Sequence, residues 1–199
     1  MRSLSILICL AIGLSGVAIA QNSDEYKKTE YYIGYSNSQS NETLHGVNGS
    51  AVYNFTRYLG AKADFSAAFN SQRFNLTGSL PFYTATFRAD RALYNYAGGI
   101  QIKDNAKSGR FKPFAHVMIG VAHRRNRSSD FQCSPTANCP TFAAGVFKDT
   151  GFSAIIGGGL DIRLKDRFQL RLFQIDYNPV RSPFQTTERN VRLGAGIVF

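Results

Sequence analysis

Seven charged residues lie on the polar face of segments in which apolar and polar side chains alternate. They are Lys62, Asp64, Asp161, Arg163, Arg171, Asp176 and Arg192. Four are basic and three are acidic, so enclosing them in one interior favours a network of ion pairs and hydrogen bonds. In this network we expect Asp161 to pair with Arg171 or Arg192 across neighbouring strands. The alternative is a narrow ion path whose selectivity these charges determine. Both interpretations require elements that turn one face of several strands towards a common interior.

The alternation around these charges has the two-residue period of a β-strand with two unlike faces. The odd positions are apolar in residues 59–69, and the even positions are apolar in residues 152–164. In residues 168–178 the apolar positions change from even to odd at Leu172 and Phe173. This change of phase predicts a one-residue bulge at that point.

The same patterns predict eight strands and no helix. The expected strands are 29–36, 45–55, 59–69, 92–103, 112–124, 151–164, 168–178 and 189–199. The connections at 56–58 and 165–167 are tight and that at 104–111 is moderate, whereas those at 36–44, 70–91, 125–149 and 179–188 are longer. We therefore predict one all-β domain, an eight-stranded antiparallel up-and-down barrel with short turns at one end.

The final strand indicates that this barrel is transmembrane. Val191, Leu193, Ala195, Ile197 and Phe199 alternate with residues that are mostly polar or small. In a soluble protein a terminal apolar strand would be an aggregation-prone edge. A closed barrel in a membrane has no edge and turns its apolar face towards lipid.

The N-terminal residues predict export. Arg2 precedes an apolar run from Leu4 to Val17 and a small-residue site that ends at Ala20, so residues 1–20 are expected to form a signal peptide. The mature domain, 21–199, would carry 22 basic and 13 acidic residues, a charge of +9. In an oxidising compartment Cys133 and Cys139 are expected to form a disulfide, the alternative being two unpaired loop thiols.

These features resemble the eight-stranded outer-membrane barrel family, which includes the OmpA transmembrane domain, OmpX and the small barrels of the porin family. The resemblance extends over 21–199 and implies a bacterial outer-membrane protein of a Gram-negative cell with both termini in the periplasm. It also implies that the barrel-assembly machinery reads the last strand, through Val191, Leu193, Ala195, Ile197 and Phe199. Ile197 departs from the family pattern, in which an aromatic residue is typical at that position.

Three arginines suggest a contact with anionic lipid. Arg124, Arg125 and Arg127 lie where a strand is expected to leave the bilayer, and guanidinium groups bind phosphate in a bidentate manner. Lipopolysaccharide phosphates are the expected partner, and the alternative is a solvated loop base with snorkelling side chains. The sequence identifies no partner for the large loops at 70–91 and 125–149.

No residue pattern predicts catalysis, a metal site or a cofactor. His123 and Ser153 could lie on adjacent strands, but no glutamate is clearly placed to orient His123. The two mature cysteines have no nearby histidine, and Gly157-Gly158-Gly159-Leu160 lacks the ending of a phosphate loop. The export signal argues against a nucleic-acid partner.

The sequence therefore predicts an outer-membrane barrel with a structural or surface-interaction role and a lumen filled by charged residues. A small passive pore is the alternative, followed by a lipid-modifying enzyme and a soluble lipocalin-like carrier.

Overall fold

The computed structural model describes residues 26–40, 42–79, 82–106, 109–134, 144–165, 167–182 and 187–199. Within them the chain forms eight β-strands: β1 (Thr29–Gln39), β2 (Thr43–Asn54), β3 (Leu59–Ser79), β4 (Phe82–Lys103), β5 (Phe111–Ser134), β6 (Gly145–Arg163), β7 (Gln169–Arg181) and β8 (Glu188–Val198). Each strand pairs antiparallel with the next, and β8 pairs with β1. The predicted eight-stranded barrel is confirmed. The predicted signal peptide, 1–20, lies outside the described residues.

The two ends of the barrel differ. The turn end carries the short connections at 55–58, 104–110 and 164–168, and the hairpin end carries the other connections. Phe55 N donates to Leu59 O at 2.9 Å and Leu164 N donates to Phe168 O at 3.0 Å, which closes two of these turns. The segment before β1 crosses the turn end, where Tyr26 pairs with Ala106.

The strands separate an apolar outer face from a polar interior, as the alternation predicts. On β3, Lys62 and Asp64 are buried while Ala63 and Phe65 are exposed. The predicted bulge is also present. Leu160 is the register partner of Phe173 and Asp161 is that of Arg171, so Leu172 is the extra residue. Leu172 and Phe173 both face outward, and the bulge returns Gln174 to the interior.

Four strands, β3 to β6, are longer than predicted by five residues or more. The segments 70–91 and 125–149, expected as loops, are largely strand: β3 and β4 pair as far as Ser79 and Phe82, and β5 extends to Ser134. The prediction was wrong there because most side chains of this part of β3 are exposed on both faces. A strand that is solvated on both faces has no apolar period for the sequence to reveal.

Outward-facing residues become mostly polar at one level on these four strands. Above Phe69, Tyr94, Val121 and Phe152 come Ser71, Asp90, Arg125 and Thr150, and the exposed Val146 of β6 is an apolar exception. On β3 the apolar band runs from Leu59 to Phe69, which gives a height of about 25 Å for strands tilted by 35–45°. This is the height of the lipid-facing band in transmembrane barrels. Among the described residues, no helix combines the length and the apolar character needed to span a membrane.

Candidate functional site: the barrel lumen and its two ends

A first group of charges fills the lumen near the turn end. Lys103 Nζ donates to Glu30 Oε2 at 2.6 Å, to Asp161 Oδ2 at 2.8 Å and to Gln169 Oε1 at 2.9 Å. Arg171 donates to both oxygens of Asp161, at 2.8 and 3.1 Å. We call these five residues the turn-end cluster. All five are buried, so each charge has lost water and gained a partner of opposite sign.

A second group lies one layer further in, and we call it the central cluster (Lys62, Asp64, His116, Asp176 and Arg192). Arg192 donates to Asp64 Oδ1 at 2.8 Å and to Asp176 Oδ2 at 2.6 Å. His116 Nε2 lies 2.9 Å from Asp176 Oδ1, an ion-pair distance without hydrogen-bond alignment. Lys62 Nζ lies 3.2 Å from His116 Nδ1.

Aromatic rings occupy the space between the two clusters. The Arg171 guanidinium lies 4.3 Å from the centre of the Tyr32 ring and 4.0 Å from that of the Phe114 ring. Phe114 in turn stacks on His116, with 5.9 Å between the ring centres. These cation–π and stacking contacts fill volume that would otherwise hold water.

An apolar layer closes the lumen towards the hairpin end. Above the central cluster, Ser153 Oγ donates to Asn178 Oδ1 at 2.7 Å. The next layer is a buried apolar cluster formed by Leu44, Ala68, Leu93, Ala122 and Val180. The described side chains therefore fill the lumen in successive layers from Lys103 to Leu93.

The hairpin end holds an inner cavity of about 260 Å³ above the apolar layer. Two ion pairs line it: Arg91 with Glu42 at 2.9 Å, and Arg124 with Glu188. Arg124 thus faces inward. The sequence suggested that Arg124 shares an outer surface with Arg125 and Arg127, and this expectation is wrong. The physical reason is strand alternation, which places adjacent residues on opposite faces.

Arg125 and Arg127 do face outward, just above the apolar band. Both are exposed and border a surface groove of about 440 Å³ beside Phe69 and Tyr94. The register partner of Arg125 is the exposed Lys148. We call Arg125, Arg127 and Lys148 the outer basic cluster. None of the three forms an ion pair within the part of the chain that the structure describes.

Comparison with solved structures settles the fold. Over 86% of this chain and 96% of the other, it resembles Ail, the attachment invasion locus protein of Yersinia pestis, in complex with the heparin analogue sucrose octasulfate, at 15% identity and a TM-score of 0.50. Neisserial surface protein A matches over 85% of this chain and 94% of its own, at 11% identity and a TM-score of 0.51. The chain has the fold of the eight-stranded outer-membrane β-barrels. No protein-family model and no curated protein matches the sequence.

The lumen of this outer-membrane-type barrel contains six of the seven predicted charges. Lys62, Asp64, Asp161, Arg171, Asp176 and Arg192 lie in the two clusters. Of the two partners expected for Asp161, the structure shows Arg171, and Arg192 binds Asp64 and Asp176. Arg163 was expected in the network and is not part of it. It lies half-buried at the turn end, because it is the last residue of β6.

Sequence reasoning missed Glu30 and Lys103. Strand alternation could have placed both residues in the lumen. Glu30 lies between two outward-facing positions of β1, and Lys103 follows the outward-facing Ile102. Both residues stand at strand ends, where the pattern is short. With these two included and Arg163 removed, the clusters contain four basic and four acidic side chains, apart from His116. The two clusters together are balanced in formal charge.

The residues considered for catalysis do not meet in this barrel. His123 faces outward with Nδ1 2.8 Å from Thr150 Oγ1, while Ser153 is fully buried inside. No three His, Cys, Asp or Glu side chains come together as a metal site among the described residues.

Cys133 is disulfide-bonded, but Cys139, its predicted partner, lies outside the described residues. That pairing stays a prediction.

The last strand presents its apolar residues to the outside of the barrel. Val191, Leu193, Ile197 and Phe199 are exposed, and so is Ala195 on the same face. Phe199 N donates to Tyr31 O at 2.9 Å, which extends the closure between β8 and β1. Recognition of this strand by the assembly machinery stays a prediction.

Proposed function

We propose that the protein is an integral outer-membrane barrel with a closed lumen and that it functions through interactions at its outer surface. The observation that carries this proposal is the continuous filling of the lumen. Lys103, Asp161 and Arg171 pair near the turn end, Arg192 joins two carboxylates in the centre, and Leu44 and Leu93 form an apolar layer above. An ion path needs a continuous column of water lined by charges that are free to contact the ion. The lumen charges here are paired with one another, and the apolar layer above them excludes water.

The exposed apolar band supports placement in a lipid bilayer. Large residues such as Ile33, Val117, Ile119, Phe152 and Ile156 are about half exposed or more on the barrel wall. A soluble protein rarely exposes so large a continuous apolar surface. In the proposed orientation the turn end and both termini lie in the periplasm, because outer-membrane barrels have short periplasmic turns.

The outer basic cluster supports an anionic partner at the cell surface. Arg125 and Lys148 are exposed register partners of like charge, an arrangement that is unfavourable without an anion nearby. The cluster lies just above the apolar band, at the height of lipid phosphates. We propose that it binds phosphate groups of lipopolysaccharide-type lipids. The complex of Ail with sucrose octasulfate is an example of a polyanion bound by a protein with this fold.

The extended sheet supplies a second outer surface. Pairing of β3 with β2 ends at Phe69, so Ser71–Ser79 pairs only with β4 among the described residues. The free edge offers backbone donors and acceptors to an extended segment of a partner. The proposal assigns no catalysis to either surface, because His123 and Ser153 lie on opposite faces of the wall.

Single-channel conductance in a planar bilayer tests the proposal. The protein is refolded, and folding and insertion are verified by a heat-dependent shift in gel mobility. A folded, inserted and silent barrel is the expected result. Steady discrete openings would contradict the closed lumen and favour the small pore.

A further inference from the structure

A cavity of about 190 Å³ lies at the turn end, between the turn-end cluster and the aqueous phase. Lys27, Asn105, Lys112 and Arg163 contribute to its lining. Asn105 is only 4% exposed and Lys112 only 3%. The segment before β1 covers one side, because Lys27 N donates to Asn105 O at 3.2 Å. The cavity is therefore built from fixed parts of the barrel.

The positive charges around this cavity have no carboxylate partner among the described residues. Within the described ranges Lys112 Nζ donates only to backbone carbonyls, that of Asp104 at 2.9 Å and that of Ala106. Lys27 and Arg163 form no ion pair in the described chain. The nearby carboxylate of Glu30 already accepts from Lys103 and Asn54. Burial lowers the pKa of Lys27, Glu30 opposes this effect and the Lys103 charge adds to it.

Asn105 supplies an independent sign of a missing ligand. Both its amide nitrogen and its amide oxygen are buried without a hydrogen-bond partner in the part of the chain that the structure describes. A buried amide left unpaired in this way is costly, and native proteins seldom keep one. A ligand that satisfies both atoms must accept one hydrogen bond and donate another.

We propose that this cavity binds a phosphate-type oxyanion from the aqueous phase, held by Lys27, Lys112, Arg163 and Asn105. Monohydrogen phosphate carries negative charge for the three cations, an acceptor oxygen for Asn105 Nδ2 and an O–H group for Asn105 Oδ1. The ligand comes from water and not from a lipid headgroup. Phe111 and Leu164, the chain neighbours of Lys112 and Arg163, are exposed on the outer face of the barrel wall, whereas the cavity lies on its inner face. The site is independent of the proposed outer-surface function.

Phosphate titration of the full, ¹⁵N-labelled chain refolded in phospholipid nanodiscs tests this site. Inorganic phosphate and sulfate are added at constant ionic strength, and the side-chain resonances of Asn105 and Arg163 are followed. A saturable shift of the Asn105 amide with phosphate is expected, and sulfate, which has no donor at neutral pH, should bind more weakly. Absence of a saturable shift, or equal binding of sulfate, would overturn the proposal.

Two matched variants locate the site. Arg163→Gln should weaken phosphate binding about tenfold, the usual effect of losing one charge-assisted hydrogen bond. Arg167→Gln removes the same charge from an exposed position of the nearest turn. It should bind phosphate like the unaltered protein. Equal affinity in Arg163→Gln and Arg167→Gln would show that the cavity is not the site, whether or not the barrel conducts.

Discussion

Asp161 and Arg171 face each other on β6 and β7 and form a bidentate ion pair, with Nε 2.8 Å from Oδ1 and Nη2 3.1 Å from Oδ2. Asp161 also accepts from Lys103 at 2.8 Å. One fully buried carboxylate therefore pairs with two buried cations that belong to different strands. The bulge at Leu172 is what keeps Arg171 and Gln174 both in the interior and able to join this arrangement.

Asp161→Ala should strongly destabilise the barrel. It leaves Arg171 and Lys103 buried with less compensating charge, a change that typically costs about 3–5 kcal/mol. Urea unfolding of the refolded protein measures the loss. Asp90→Ala is the control, because Asp90 and Arg88 are 3.6 Å apart and both about half exposed, and such pairs contribute roughly 0–1 kcal/mol. Similar losses in the two variants would show that Asp161 does not organise the cluster.

The turn-end pair of Arg57 and Asp104 predicts a pH effect. Arg57 donates to both carboxylate oxygens, at 2.8 and 3.1 Å, and these hydrogen bonds lower the pKa of Asp104 to about 2. Because the pKa is lower in the folded protein, the stabilisation is present above the unfolded value of 3.8 and is lost as the pH falls through about 2. Arg57→Gln should raise the Asp104 pKa towards 3.8, which carboxyl NMR titration measures. An unchanged midpoint would assign the shift to another cause.

Arg125→Gln should weaken binding of lipopolysaccharide to the refolded protein about fivefold, since one charge at a membrane surface contributes about 1 kcal/mol. Calorimetric titration in detergent measures this affinity. Arg189→Gln is the matched control, because Arg189 is exposed on β8, three strands away. Dephosphorylated lipopolysaccharide should not distinguish the two variants. If both variants lose affinity equally, the outer basic cluster is not the contact.

Sequence periodicity predicts the part of this barrel that contacts lipid. Lys62 and Asp64 could be placed inside because lipid on one face of β3 enforces alternation. The hairpin of β3 and β4 beyond Phe69 could not be predicted, because water on both faces imposes no period on residues such as Arg73 and Asn75. The inward direction of Arg124 could have been predicted, since alternation places Arg124 and Arg125 on opposite faces of β5. The partner of each lumen charge, by contrast, depends on register, which a single sequence does not reveal.

Gly157→Ala should disturb the central cluster. Gly157 is the register partner of both His116 and Asp176. A Cβ atom there would lie 2.1 Å from Asp176 Oδ1 and 2.4 Å from the carbonyl oxygen of Ile175. The absence of a side chain at Gly157 therefore leaves room for the Asp176 carboxylate. Because backbone as well as carboxylate must move, a cost of about 1–3 kcal/mol is expected.

Gly98→Ala separates this steric effect from the general effect of replacing glycine in a strand. A Cβ atom at Gly98 would approach nothing closer than 3.9 Å, so this variant should be as stable as the unaltered protein or about 0.5 kcal/mol more stable. Urea unfolding compares the two variants, and the His116 ring resonances report whether the central cluster has moved. Equal stability of Gly157→Ala and Gly98→Ala, with unshifted His116 resonances, would mean that the cluster does not depend on the space at Gly157. A loss confined to Gly157→Ala would show that a position without a side chain helps to hold His116, Asp176 and Arg192 together.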